Sequence, residues 1–206
     1  DTMTVKHEKC FGPAFLDAMD IQKHRDEILN RWLEINLYSK SRGINRFQGF
    51  DEICHFIEKQ YQIEIKGLKD FDSWIDSTKE FSVNSILQYQ SEADDFSLFE
   101  KALIWSQKVN ESIKKLPPSK AFQNVDTILN EAKEKVDLVG VSSANKEAVI
   151  EEWTRLNIIQ DFLFVGCQDS GNKSHIIKES LEKGYSKTNT LMLGDAIGDY
   201  QAAMEN

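Results

Sequence analysis

The chain has 206 residues, of which 40% are hydrophobic, enough to bury a core and too many for a disordered chain. Acidic residues outnumber basic ones 34 to 25, for a net charge of −9, which argues against nucleic-acid backbones and anionic membrane surfaces as partners. No apolar run approaches the roughly 18 residues that span a bilayer. The cysteines Cys10, Cys54 and Cys167 form neither a zinc motif nor a disulfide framework, so a reduced, cytoplasmic setting is expected.

Before the pair Pro117-Pro118 the hydrophobic rhythm is helical. Ile21, Ile28, Leu29, Trp32, Leu33 and Leu37 predict one face of a long helix. Ile53, Phe56, Ile57 and Tyr61 predict a second helix, and residues 74–87 carry a weaker pattern. Leu98, Phe99, Ala102, Leu103, Val109, Ile113 and Leu116 mark a long amphipathic helix that the prolines end. The aromatics Phe15, Trp32, Phe56, Trp74, Phe99 and Trp105 recur at helical spacing and are read as core. Residues 1–118 are thus expected to form a helical domain.

Beyond Pro118 the rhythm alternates. Asp126 is placed to cap a helix carrying Ile128, Leu129 and Ala132. Residues 136–141 predict a first buried strand, 145–156 a helix, and 162–165 a second strand. A helix over 173–183, a third strand over 190–193 and a helix from 198 to 204 follow. Strands alternating with helices across short loops predict an α/β fold, a Rossmann-like parallel sheet in a three-layer α/β/α core, over residues 119–206.

In such a sheet, ligands bind outside the carboxyl ends of the strands. The residues there are Ser142-Ser143-Ala144-Asn145, Gly171-Asn172-Lys173, and the run from Gly194 through Asp195 to Asp199. A hydroxyl with backbone amides, an ammonium and two carboxylates on one rim suit a phosphate held against a divalent cation. Each alone has an ordinary structural use: a serine cap, a solvated lysine, acids serving a turn and a helix start. Their joint order and strand-end placement point to chemistry. His7, His24, His55 and His175 fall on different elements and do not suggest a metal site. The acidic run 92–95 reads as a solvated turn.

The segments VDLVGVSS, GNKSHIIKESLEKG and LMLGDAIGDYQAA resemble the second, third and fourth motifs of the haloacid dehalogenase-like hydrolases. The stretch AFQNVDTILNEAKEKVDLVGVSSAN is similar to the family's approach to its second motif. The helical half matches in kind, since many members insert a helical cap between the first and second motifs, the phosphoglycolate phosphatase and β-phosphoglucomutase type among them. The resemblance implies a magnesium-dependent phosphatase of small phosphate esters that works through an aspartyl-phosphate. It implies that Ser142 binds the phosphoryl group, helped by the amides of Ser143 and Ala144. Lys173 would bridge phosphoryl group and nucleophile, Asp195 would be the main Mg2+ ligand, and Asp199 would orient the metal shell, directly or through water. A phosphosugar mutase, or an inactive relative that binds a phosphorylated ligand or a protein, stays open as an alternative.

The family's nucleophile lies in an Asp-x-Asp motif on the first strand, and residues 1–60 contain none. The start, Asp1-Thr2-Met3, resembles the link from that motif into the cap, so the chain is expected to be clipped at both ends. Reading Asp1 as the nucleophile puts Met3 where the acid/base belongs and leaves the leaving group no proton donor.

Overall fold

The computed structural model describes residues 2–78 and 80–206. The chain divides into two compact units, Asp1–Pro117 and Pro118–Asn206. No described helix is long and apolar enough to cross a membrane.

The first unit is helical: α1 (Thr2–Lys6), α2 (Gly12–Met19), α3 (Arg25–Leu33), α4 (Arg46–Tyr61), α5 (Leu68–Ser77), α6 (Val83–Tyr89) and α7 (Ser97–Lys114). A π-helical turn, His7–Phe11, runs α1 into α2. Its cause is Pro13, which has no N–H to give and whose ring clashes with the carbonyl one turn back. The turn widens instead, and the Gly12 N–H bonds the His7 carbonyl. Gly12 also admits α3, since a Cβ there would stand 2.8 Å from Leu29 Cδ2. The single helix expected from Ile21 to Leu37 is shorter: α3 starts at Arg25 and ends in a second π-helical turn, Glu34–Tyr38. The pattern over 74–87 is divided between α5 and α6. The start of α4 carries its own stop signal, with Asn45 accepting from the Phe47 amide and Gln48 returning to the Asn45 amide, a capping box.

Trp32, Trp74 and Trp105 are fully buried, and each indole N–H has an acceptor: His7 Nδ1, Ser85 Oγ and the Phe11 carbonyl, all at 3.1 Å. Phe15, Phe50, Phe71 and Phe99 fill the space between them. Phe56 packs against this core from its margin. His7 is 8% exposed and stacks on Phe11. Burial first, then the charges of Arg46 and Arg42, pull its pKa down to about 4. The folded unit therefore keeps His7 neutral where the unfolded chain, titrating near 6.5, takes up a proton. His7 itself contributes a loss of about 3 kcal/mol as the pH drops from about 6.5 to about 4, and Asp51 of the same unit, raised to about 7 by burial, acts in the opposite sense over that range. Urea melts across that range measure it. His7→Gln, which keeps an acceptor for Trp32, should be less acid-sensitive than wild type by that amount, and an identical pH dependence in the variant would remove His7 as a source.

The second unit contains α8 (Val125–Lys133), β1 (Val139–Val141), α9 (Lys146–Arg155), β2 (Phe164–Gly166), α10 (Lys173–Glu182) and α11 (Ile197–Met204). The strands β1 and β2 are parallel, pairing Val139 with Phe164, Gly140 with Val165 and Val141 with Gly166. Gly166 lets α10 lie close on the sheet, because a Cβ there would meet Ile176 Cγ2 at 2.5 Å. Asp126 stands in the first turn of α8 and does not cap it; Asn124, in the left-handed region, precedes the helix. There the acid serves the helix dipole. The expected third strand over 190–193 has no ladder: among the described residues the sheet is β1-β2 alone. An extended segment becomes a strand only against a hydrogen-bonding neighbour, and here Leu191 and Leu193 remain 81% and 82% exposed. The unit buries few apolar side chains, chiefly Val149, Ile158, Cys167, Ile176, Ile177 and Ala202.

Candidate active site

The parallel pair sends both chains out at one end of the sheet. Ser142 directly follows β1, and its amide donates to the Gly166 carbonyl at 2.9 Å, extending the ladder to the strand's last residue. Its Oγ accepts from the Ala144 amide at 3.1 Å. That bond leaves the hydroxyl proton to be donated outward. It also uses the Ala144 N–H, which the family resemblance implies for the phosphate. Ser143 is exposed at the turn, and Asn145 caps α9 by accepting from Ala148 at 3.2 Å.

Beyond β2 the chain turns at Gly171, with φ +97°, and Asn172 caps α10 by accepting from the His175 amide at 2.8 Å. Lys173 is thereby the first residue of α10, half-buried, and its ammonium pairs with Asp199 Oδ1. Asp199 is 6% exposed, and its second oxygen accepts from the Ala196 amide at 3.1 Å, closing the first turn of α11. Asn206 ties the same two helices, donating to the Ser174 carbonyl at 3.1 Å and the Ala202 carbonyl at 2.8 Å. Asp195 stands exposed in the turn between the 190–193 segment and α11. His175 is at the surface, 3.3 Å from Glu179.

The structure thus brings Lys173 and Asp199 into contact, and places Ser142 and Ser143 at the end of β1 and Asp195 in the turn before α11. Residues 44–206, more than half of the chain, match the family model of the haloacid dehalogenase-like hydrolases. The chain belongs to this family. No curated protein and no solved structure matches it. Asp1, the residue weighed above as nucleophile, lies outside the described residues.

In this member of the haloacid dehalogenase-like hydrolases Gly194, which opens the Gly-Asp-x-x-x-Asp run, has a steric role. A Cβ there would fall 2.4 Å from both Cβ and Cγ of Asp199, so only glycine lets the acid fold back under the turn. The signal was present as the Gly-Asp-x-x-x-Asp spacing, but spacing does not say which atoms meet. Gly194→Ala should push Asp199 aside and cost about 2 kcal/mol, the scale of overpacking a tight site. Thermal melts check this, and an unchanged melting temperature would show that the turn yields without strain.

One histidine, His55, has two carboxylate neighbours. Among the described residues, Asp51, His55 and Asp72 form a group of metal-binding donors, with one ligand atom from each within 4.8 Å of the others. The cluster lies in the helical unit, on α4 and α5. Burial first, and the neighbouring Asp72 carboxylate second, push Asp51 up to about 7.

Proposed function

We propose that the protein is a magnesium-dependent phosphatase of small phosphorylated metabolites that passes the phosphoryl group through an aspartyl-phosphate. The observation that carries this reading is the Lys173–Asp199 pair seated beside the Gly194-Asp195 turn. A buried carboxylate fixes the ammonium, so the cation is positioned before substrate arrives, and preorganised charge is what stabilises a transferring phosphoryl group. Ser142 would donate its hydroxyl proton to a phosphoryl oxygen, and the Ser143 amide would supply a further contact. Asp199 acts as the positioning residue for Lys173.

The donor set fits a hard, largely hydrated cation. Asp195 offers an exposed carboxylate, while both oxygens of Asp199 are engaged, by Lys173 and by the Ala196 amide. Asp195 would hold Mg2+ directly and Asp199 through the surrounding shell. When bound, the ion neutralises phosphate charge at the site. In this reading the α/β unit is the three-layer core, and the helical unit of residues 1–118 is a cap that sets specificity. A strand bearing the acceptor aspartate would pair at the free edge of β1.

The test is turnover of p-nitrophenyl phosphate and a panel of phosphate esters by the whole gene product, with magnesium and with chelator. Magnesium-dependent release of phosphate is the expected result. Binding of phosphate esters without turnover would replace the enzyme reading with that of an inactive binder.

A further inference from the structure

We propose that Asp51, His55 and Asp72 form a binding site for a divalent transition-metal ion of the zinc type, clamping α4 to α5. The site is separate from the Lys173–Asp199 region, and the proposal does not depend on the phosphatase reading.

Asp51 and His55 are four residues apart on α4, which puts both on one face of the helix. Asp72 faces them from α5. His55 Nε2 is 2.7 Å from Asp72 Oδ1 and 3.8 Å from Asp51 Oδ2. The two carboxylates converge because the core between their helices fixes the separation: the Phe50 and Phe71 rings meet at 5.6 Å, as do Phe47 and Trp74. Like charges held together by packing cost stability unless something positive joins them. Among the described residues that positive partner is His55, when protonated, and no lysine or arginine ion pair reinforces it.

Asp51 also keeps bonding capacity that a ligand could use. Asp51 Oδ1 is buried and has no hydrogen-bond partner, on a side chain only 13% exposed. A buried carboxylate is costly when charged; in the metal-free protein a proton shared with Asp72 relieves Asp51, and a coordinated cation would take that proton's place. The donors also select the ion. An imidazole with two carboxylates suits zinc and its neighbours, whereas magnesium and calcium prefer oxygen alone. Zinc ligands at about 2.0–2.2 Å from the metal need donor spacings of roughly 3.4 Å in a tetrahedron. His55 and Asp72, with side chains 49% and 37% exposed, have room for the shift, and the solvent side leaves the fourth position to water.

The experiment is a titration of the chelator-stripped, intact protein with zinc chloride, read by calorimetry and by thermal melts. One ion should bind in the presence of excess magnesium, and the melting temperature should rise by about 5–10 °C once zinc exceeds its Kd a hundredfold. His55→Gln, at a half-exposed position where folding is safe, should weaken binding at least tenfold, and Asp72→Asn should do the same. Cobalt substitution should give ligand-field bands without a thiolate charge-transfer band. The proposal is overturned if wild-type protein binds no zinc, or if magnesium displaces it. It is equally overturned if His55→Gln binds zinc as well as wild type does, or if a thiolate band assigns the ion to a cysteine.

Discussion

Asp195→Asn is expected to abolish phosphate-ester turnover, by about a thousandfold or more, with the fold unchanged. The residue sits exposed in the turn that enters α11, and surface substitutions of this kind usually change stability by no more than about 0.5 kcal/mol. Its neighbour Asp199 is already committed, one oxygen to Lys173 and the other to the Ala196 amide. Asp195 is exposed where Asp199 is buried, so it is the carboxylate of the pair that a hard cation reaches from solvent. Replacing its charge with a neutral amide removes the anionic ligand of a weakly held ion, and added magnesium should not restore the rate. Wild-type turnover by the variant at saturating magnesium would sink the assignment and shift attention to Asp199. Asp199→Asn should act differently, with a smaller loss of rate and a larger loss of stability, because that carboxylate is buried and structural.

How far these residues speak from the sequence depends on how local their interactions are. The face of α7, from Leu98 to Val109, was legible because helical burial repeats along the chain itself, and every buried member of it but Ser106 is apolar. The strand ends were legible for a similar reason: short apolar runs followed by Ser142 or by the Gly171 turn announce where the ladder stops. The 190–193 segment has the same apolar look and forms no strand, because pairing is a property of the neighbour and not of the segment. The cluster on α4 and α5 escaped notice because its members, Asp51, His55 and Asp72, come from two helices whose packing is set by Phe50, Phe71, Phe47 and Trp74. Asp51 and His55 at i and i+4 were a readable hint; Asp72 was not. Gly194 was likewise visible as a residue and invisible as a contact.

Lys173→Ala is expected to lower turnover by at least about a hundredfold, the scale of losing a preorganised charge at a transferring phosphoryl group. A lysine that met only the phosphoryl group would leave melting nearly unchanged. The ion pair changes that expectation. Asp199 is 6% exposed, and without the ammonium its Oδ1 would be left charged and unpaired inside the protein. Removing one partner of such a pair costs more than the pair is worth, here about 2 kcal/mol because the lysine side chain keeps 23% of its exposure. The melting temperature should therefore fall together with the rate. The double variant Lys173→Met with Asp199→Asn separates the two effects, since it removes both charges and keeps the volume. Its stability should return most of the way to wild type while its activity stays low. Thermal melts and turnover assays on the single and double variants complete the cycle. If the double variant recovered activity as well as stability, Lys173 would serve only to neutralise Asp199, and the cation at the phosphoryl group would have to be sought elsewhere on the rim.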